Sequence, residues 1–332
     1  MSQFVLRTVD VAFEREQVTL APGAQRSATT RGREAPEEPD RWRTPFERDR
    51  DRIVHSKAFR RLKHKTQVFM NPEGDHFVTR MTHTLQVTQI GGAIARALSL
   101  NVDLAEAVCL GHDVGHSPFG HTGEEALSEF VDGEWRHSDQ SVRIYEVLEP
   151  LNLTLEVLDG IRTHPWKVGE SATTHEGDVV KYADRIAYLA HDAQDALRAG
   201  VLTESSFDPA IIRAFGTPGR EWVSSMVQGV IDESYRANEI TMEPSLLEAM
   251  HSLRAFMFER VYLRPEVESQ RRRARQIVTE LVAYYLEHLD AIPASYRHDE
   301  ADDLTQVIDY VAGMTDRFAM RAHDDLFRPR LF

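Results

Sequence analysis

Apolar and polar positions follow a helical period over most of the chain. His83, Val87, Ile90, Ile94 and Leu98 succeed one another at 4, 3, 4 and 4 residues, one stripe on an α-helix. A second apolar helix is predicted through Leu104, Ala107, Val108 and Gly111, with Asp103 as its cap. Ser117-Pro118 ends it. Gly123-Glu124-Glu125 opens another, where Thr122 and Glu125 have the spacing of a capping box. Further helical periods cover about 138–149, 153–163, 175–199, 208–215, 219–236, 244–260, 265–289 and 300–326. Upstream, Thr44 and Pro45 have the form of an N-cap and first helical residue, and an Arg-rich helix is predicted from Phe46 to Leu62. Strand signals are rare. Lys65 to Asp75, with Thr66-Gln67-Val68-Phe69 and then Asn71-Pro72-Glu73-Gly74-Asp75, reads as a short extended piece or hairpin tip. The pattern predicts an all-α fold with no internal repeat. Residues 1–44 are expected to be poorly structured, because Pro22, Gly23, Gly32, Pro36 and Pro39 interrupt any period. Residues 45–200 are expected to form a catalytic helical domain, and 201–332 a helical region packed on it.

Composition narrows the setting. The 332 residues are 42% hydrophobic and 28% charged, an ordinary soluble balance. No apolar stretch approaches the roughly 20 residues of a membrane span, so no membrane partner is expected. Met1 to Asp10 has no apolar run after a basic start, so a secretory leader is not expected. The single cysteine, Cys109, sits in an apolar run; it is expected to be buried, and its solitude fits a reducing cytoplasm. The formal charge of −14 argues against a protein whose main task is coating nucleic acid. It leaves room for a small anionic substrate, since a bound cation inverts the local field.

The chemistry gathers around Leu110-Gly111-His112-Asp113-Val114-Gly115-His116. Asp113 lies where an apolar helix ends, and a helix C-terminus disfavours a carboxylate unless a cation sits beside it. His83 lies upstream on the apolar stripe, with Arg80 on the same face. Asp184 lies downstream in a helix where it shares a face with Tyr188 and Asp192 at i, i+4 and i+8. Two His and two Asp from separate helices make a mixed N/O site for a divalent cation, and hence for metal-assisted hydrolysis. Asp184 is assigned to the metal, and Tyr188 and Asp192 to the substrate. His121 and Glu124 stand three apart at a loop-to-helix junction. A histidine oriented by a carboxylate is a good acid or base near neutral pH. His116 is a minor candidate for a fifth ligand, and His137 for a contact near phosphates. The basic residues Lys57, Arg60, Arg61, Lys63 and Lys65 read first as a solvated face, as does Arg271-Arg272-Arg273.

In the order His83, His112-Asp113, Asp184, the chain resembles the HD superfamily of metal-dependent phosphohydrolases. Arg43 to Ile53, Ala58 to Leu62, Lys65 to Phe69, Gly111 to His121, Ala183 to Tyr188 and Tyr310 to Arg317 resemble, more closely, the bacterial deoxyguanosine triphosphate triphosphohydrolase family. The resemblance runs from about residue 42 to 327. It implies an HD-domain helical bundle with a helical C-terminal extension. It also implies hydrolysis of a dNTP to the deoxynucleoside and inorganic triphosphate. By motif position, His83, His112, Asp113 and Asp184 would hold Mn²⁺ or Mg²⁺, with Fe²⁺, Co²⁺ or Ni²⁺ also compatible. His121 and Glu124 would be the catalytic pair. Gln67, Arg80, His137, Lys181, Tyr188 and Asp192 would contact substrate. The resemblance further implies a homo-oligomer, a hexamer first of all, and leaves room for an activating dNTP. The alternatives are another HD phosphohydrolase, acting on 5′-nucleotides, (p)ppGpp or cyclic nucleotides, and a nucleotide-sensing protein. The Arg-rich segment 41–65 also admits weak binding of single-stranded DNA.

Overall fold

Thr44 accepts a hydrogen bond from the Glu47 N–H at 3.2 Å, and the Glu47 carboxylate accepts from the Thr44 N–H at 2.7 Å. This capping box, with Pro45 in the first turn, starts a helix where the sequence pattern predicts one. The computed structural model describes residues 4–67, 78–298 and 300–329. Their helices are α1 Val9–Thr19, α2 Pro45–His55, α3 Lys57–Arg61, α4 Arg80–Ala97, α5 Val102–Gly111, α6 His121–Ser128, α7 His137–Arg143 and α8 Leu155–Thr163. They continue as α9 His175–Arg198, α10 Pro209–Phe215, α11 Arg220–Ala237, α12 Pro244–Met257, α13 Pro265–Glu287, α14 Asp303–Ala312 and α15 Asp316–Phe327. The fold is all-α. Among the described residues, extended pairing is limited to the bridges Arg33–Thr154 and Thr66–Thr79. The second closes the segment expected to be a hairpin tip, but Val68 to Asp75 lie outside the described residues.

Several predicted helices are divided by local chemistry. The run Phe46 to Leu62 breaks at Ser56, which ends α2 and caps α3 through the Phe59 N–H at 3.0 Å. The run 300–326 breaks at Gly313 to Thr315, and Thr315 caps α15. Asn101, not Asp103, caps α5; Asp103 pairs with Arg50 at 2.6 Å. The Thr122–Glu125 box does not form, because α6 begins two residues earlier, at His121, with Gly120 as its cap. Glu125 instead meets Arg271 at 2.9 Å, so the Arg271–Arg273 run is not wholly solvated.

Two cores organise these helices. In the first, α4 lies against α5 and α9, α2 and α8 cover α5, and α11 covers α9. Val87, Ile90 and Ile94 meet Leu104, Val108, Val157, Val179 and Ile186 there, all buried. The approach of α4 to α5 is close: a Cβ on Gly91 would stand 2.6 Å from the Cys109 sulfur. The second core joins Phe119, Ala126, Leu127 and Trp135 to Val278, Leu281, Val307 and Val311. The cores do not divide at residue 200. Helices α10 to α12 contribute Phe215, Trp222, Met226 and Met250 to the first core, while α6 packs on α13 in the second.

The N-terminal segment departs furthest from expectation. It carries α1 and lies over the first core, although its sequence has no apolar period. Buried carboxylates hold it. Glu176 accepts from the backbone N–H groups of Gln25 at 3.1 Å and Asn101 at 2.8 Å. Glu156 accepts from the Arg31 N–H at 2.5 Å and the Thr30 hydroxyl at 2.9 Å. Asp49 pairs with Arg33, whose guanidinium also donates to the Pro45 carbonyl at 2.9 Å.

Burial pushes the Glu176 carboxyl up to about 7, against an ordinary 4.5, although the two N–H donors favour its charge. The folded chain therefore holds a proton there that the unfolded chain has lost, between those two pH values. The contribution to stability is full below pH 4.5 and declines as pH rises toward 7. Glu176→Gln, which keeps the acceptor and removes the charge, should be the more stable protein at pH 8, by on the order of 2 kcal/mol. The difference should shrink toward pH 5. Urea denaturation of both proteins across this range is the check, and parallel pH curves would refute the assignment.

Candidate metal centre and catalytic cluster

His112 follows the last turn of α5 and is fully buried. Its Nδ1 lies 2.6 Å from the Cys109 carbonyl. A carbonyl only accepts, so Nδ1 donates, and in the neutral ring Nε2 keeps its lone pair. That Nε2 is buried without a hydrogen-bond partner among the described residues. It stands 3.4 Å from Asp113 Oδ1 and 3.8 Å from Asp184 Oδ1. His83 Nε2 stands 3.0 Å from Asp184 Oδ1 and 3.9 Å from Asp113 Oδ2. Metal–ligand bonds of about 2.1 Å set neighbouring ligand atoms roughly 3 to 3.5 Å apart. His83, His112 and Asp184 lie close enough together to hold a metal ion, as do His112, Asp113 and His164, and His112, with its bare Nε2, is common to both groups.

Both carboxyls are held low, which favours the ionised form that a metal ligand needs. Burial alone would raise the Asp113 carboxyl, but His112, His116 and Arg80 hold it well below the usual carboxylate range. Asp184 is held low in the same way, by the His83 hydrogen bond against its own burial.

The loop after His112 is fixed by contact with α7. The Gly115 N–H donates to the Ser141 hydroxyl at 2.9 Å, and that hydroxyl donates to the His112 carbonyl at 2.8 Å. A Cβ on Gly115 would fall 2.2 Å from the His137 carbonyl oxygen, so the position requires glycine. This seating brings α7 and α6 beside His112 and Asp113, and with them Glu124 and His137.

Glu124 faces three histidines. His121 Nδ1 is 3.5 Å away, His137 Nδ1 3.3 Å away, and His116 Nδ1 is in direct contact. His121 is open to solvent, with 74% of its side chain exposed, whereas His116 is buried and His137 nearly so. The His116 and His137 rings stack at 3.7 Å. The other nitrogen of His116 meets Asp113 Oδ1 at 3.0 Å. His116, weighed on sequence as a fifth ligand, therefore bridges Asp113 to Glu124, and His137 stands with them. Burial pushes the His116 ring down to about 4. It raises the Glu124 carboxyl too, but His116, His137 and His121 outweigh it and hold that group well below its usual range.

The sequence pattern missed His164. It follows the end of α8, with Nδ1 donating to the Ile161 carbonyl at 2.8 Å and Nε2 3.2 Å from His137 Nε2. Its ring stands edge-on to His112 at 4.9 Å. The one cue was its place directly after a helix, which it shares with His112.

The expected substrate contacts divide. Arg80 is buried, with Nη1 on Asp113 Oδ2 at 2.9 Å. Gln67 has a buried Oε1 without a hydrogen-bond partner among the described residues. Lys181 turns elsewhere: its ammonium lies on the Glu170 carbonyl and 3.3 Å from Asp178. Asp192 accepts from the Tyr262 hydroxyl at 2.7 Å, and burial pushes its carboxyl up to about 7. Tyr188 lies beside Arg185 and Arg254. Arg185 stacks on Trp166 at 3.7 Å, and its Nε and Nη1 lack hydrogen-bond partners among the described residues. Tyr262, Arg254 and Arg185 carried no periodic signal; the first two come from the chain beyond residue 200.

The HD domain matches residues 80–189, and the phosphohydrolase-associated domain matches residues 240–325. A deoxyguanosinetriphosphate triphosphohydrolase-like protein of Caldanaerobacter subterraneus subsp. tengcongensis is 45% identical, over 98% of this chain and 97% of its own. A protein of the same description from Desulfatibacillum aliphaticivorans is 43% identical, over 97% of this chain and 99% of its own. Another, from Clostridium perfringens, is 41% identical, over 95% and 96%. The chain belongs to this family.

It is an HD-domain phosphohydrolase. Its HD segment contains His83, His112, Asp113, Glu124 and Asp184, and its associated segment supplies Arg254 and Tyr262. Among the described residues, no helix is long and apolar enough to cross a membrane.

A cation at one hundred times its dissociation constant stabilises the folded state by about 2.7 kcal/mol. The phosphohydrolase should therefore melt a few degrees higher with saturating Mn²⁺. His112→Ala and Asp113→Ala should abolish that rise, read by thermal melting with and without a chelator. A full Mn²⁺ response in both variants would remove these residues from the metal centre.

Proposed function

We propose that this phosphohydrolase cleaves deoxynucleoside triphosphates to the deoxynucleoside and inorganic triphosphate. The observation that carries the reading is the adjacency of two sets of groups: His83, His112, Asp113 and Asp184, suited to a metal, and the Glu124 histidine cluster. His116 joins them through Asp113 at 3.0 Å. The names of the relatives add the substrate class. The donor set suits Mn²⁺ or Mg²⁺, with Fe²⁺, Co²⁺ and Ni²⁺ also compatible. When bound, the ion supplies charge to polarise a phosphoryl oxygen and to activate water.

The remaining work falls to side chains. Water attacks the α-phosphorus, its oxygen bonds to phosphorus, and the bond to the 5′ oxygen breaks. All three phosphates then leave together, and the 5′ oxygen requires a proton. His121 stands open to solvent, where it can meet that oxygen or the attacking water. Glu124, braced by His116 and His137, orients it; the 3.5 Å separation is of the loose kind that tightens around substrate. Arg80, with Arg185 and Arg254, offsets charge on the phosphates. Gln67 and Tyr188 line the sugar side, and the Asp192–Tyr262 pair offers polar groups to a deoxyribose hydroxyl.

Purified protein incubated with each dNTP and Mn²⁺, with products resolved by ion exchange, tests the reaction. Inorganic triphosphate is expected; orthophosphate or pyrophosphate would point to a different HD phosphohydrolase. His121→Ala and Glu124→Gln should each lower turnover by roughly 10²–10⁴. Near-full turnover in His121→Ala would move the proton work to His116 and His137. Ribonucleotides should turn over far more slowly than deoxyribonucleotides if Gln67 and Tyr188 pack against C2′ and leave no room for a 2′ hydroxyl, and equal rates would refute that packing.

A further inference from the structure

Lys65, Thr66 and Asp316 touch none of the reacting groups by their side chains, yet they converge on the loop that carries them. Lys65, expected on a solvated face, is 2% exposed. Its ammonium donates to the carbonyls of His116, Val114 (3.5 Å) and Ala312 (3.4 Å). Asp316 is buried at the start of α15. Its Oδ2 accepts from the Thr66 N–H at 2.9 Å and from the Thr66 hydroxyl, and its Oδ1 accepts from the Phe119 N–H at 3.0 Å. Helix capping does not account for these bonds, because Thr315 caps α15 through the Phe318 N–H.

Phe119 is where the loop needs holding. It adopts φ +63°, a left-handed conformation that strains a residue with a side chain. Its ring is buried in the second core. Gly120 follows at φ +57°, so close to Arg80 that a Cβ would stand 2.7 Å from its Nη2. The same turn therefore abuts the arginine that pairs with Asp113 and sets the start of α6, which bears His121 and Glu124.

We propose that Asp316 is a positioning residue. From the phosphohydrolase-associated segment, its carboxylate holds the Phe119 turn and Thr66, and so keeps His116, His121 and Glu124 in register with the metal-type ligands. The kinetic part of this inference rests on the proposed dNTP hydrolysis; the structural part does not.

Asp316→Asn replaces one acceptor oxygen by an N–H₂ group, which cannot serve both Thr66 and Phe119. A displacement of about 1 Å costs on the order of 10² in rate. In Asp316→Asn, kcat should fall by about 10- to 100-fold with KM changed less than about threefold. Bound metal and melting temperature should remain near wild type. Amide exchange across residues 115–124 should quicken at least about tenfold, while α4 and α5 stay protected. Thr66→Val, which keeps the shape and the carboxylate, should change kcat in the same direction by less. Should Asp316→Asn fail to fold, Thr66→Val decides by the same split. Unchanged amide exchange, or kcat within twofold of wild type, would overturn the proposal. So would a kcat loss that merely follows melting temperature and metal content. Absence of dNTP turnover in the wild type would sink the proposed function instead, and the exchange measurement would still decide the role of Asp316.

Discussion

Asp113 carries a buried negative charge between a guanidinium and an imidazole, with Arg80 at 2.9 Å on one oxygen and His116 at 3.0 Å on the other. An unpaired charge in this place would be costly to bury. Its partners therefore have to be present, and each ties Asp113 to a different part of the molecule. Arg80 comes from the first turn of α4, which also presents His83. His116 comes from the loop and reaches on to Glu124. His112, its chain neighbour, completes the contact at 3.4 Å. Moving Asp113 would separate His83 and His112 from the Glu124 cluster, and the backbone around it admits little freedom. Gly115 lies against α7, Ser141 clasps the His112 carbonyl, and Lys65 holds the carbonyls of Val114 and His116.

What could be seen in the sequence follows from what each residue depends on. His83 was visible because it lies on the period of α4, and Asp184 because it repeats with Tyr188 and Asp192 along α9. His112 and Asp113 were visible because a carboxylate at an apolar helix end demands an explanation. His164 was invisible by these standards: a single histidine before a proline has no period and no charge anomaly. Tyr262 and Arg254 failed for another reason. They lie about 70 residues beyond Asp184 in the chain, and only the packing of α12 beside α9 returns them.

The N-terminal segment and the division into cores show the same limit from the side of folding. A hydrophobic pattern reports elements that bury an apolar face. Residues 24–33 are held instead by backbone N–H groups and a guanidinium set on buried carboxylates from α2, α8 and α9. Such anchoring leaves no period in the segment it orders; the signal lies in Asp49, Glu156 and Glu176, scattered through other helices. Chain order likewise hides the second core. Helix α6 belongs by sequence to the HD segment, but its apolar residues face α13. The helix bearing His121 and Glu124 is thus seated by the second core, while α4, α5 and α9 build the first.

Two helix ends account for the polarity of the centre. The last carbonyls of a helix lack partners within it, and their dipoles leave partial negative charge at that end. His112 and His164 each follow such an end and donate Nδ1–H to the carbonyl three residues back, Cys109 in one case and Ile161 in the other. In each neutral ring the bond fixes the tautomer and turns an electron-rich Nε2 away from the helix. Because α5 and α8 pack together, the two rings meet at 4.9 Å. Both helix ends, the bare Nε2 of His112 and the carboxylates of Asp113 and Asp184 therefore act on one small volume with the same sign. Arg80 offsets one of those carboxylates. A metal ion held there would offset the remainder, so that binding it would relieve a field the fold has already imposed.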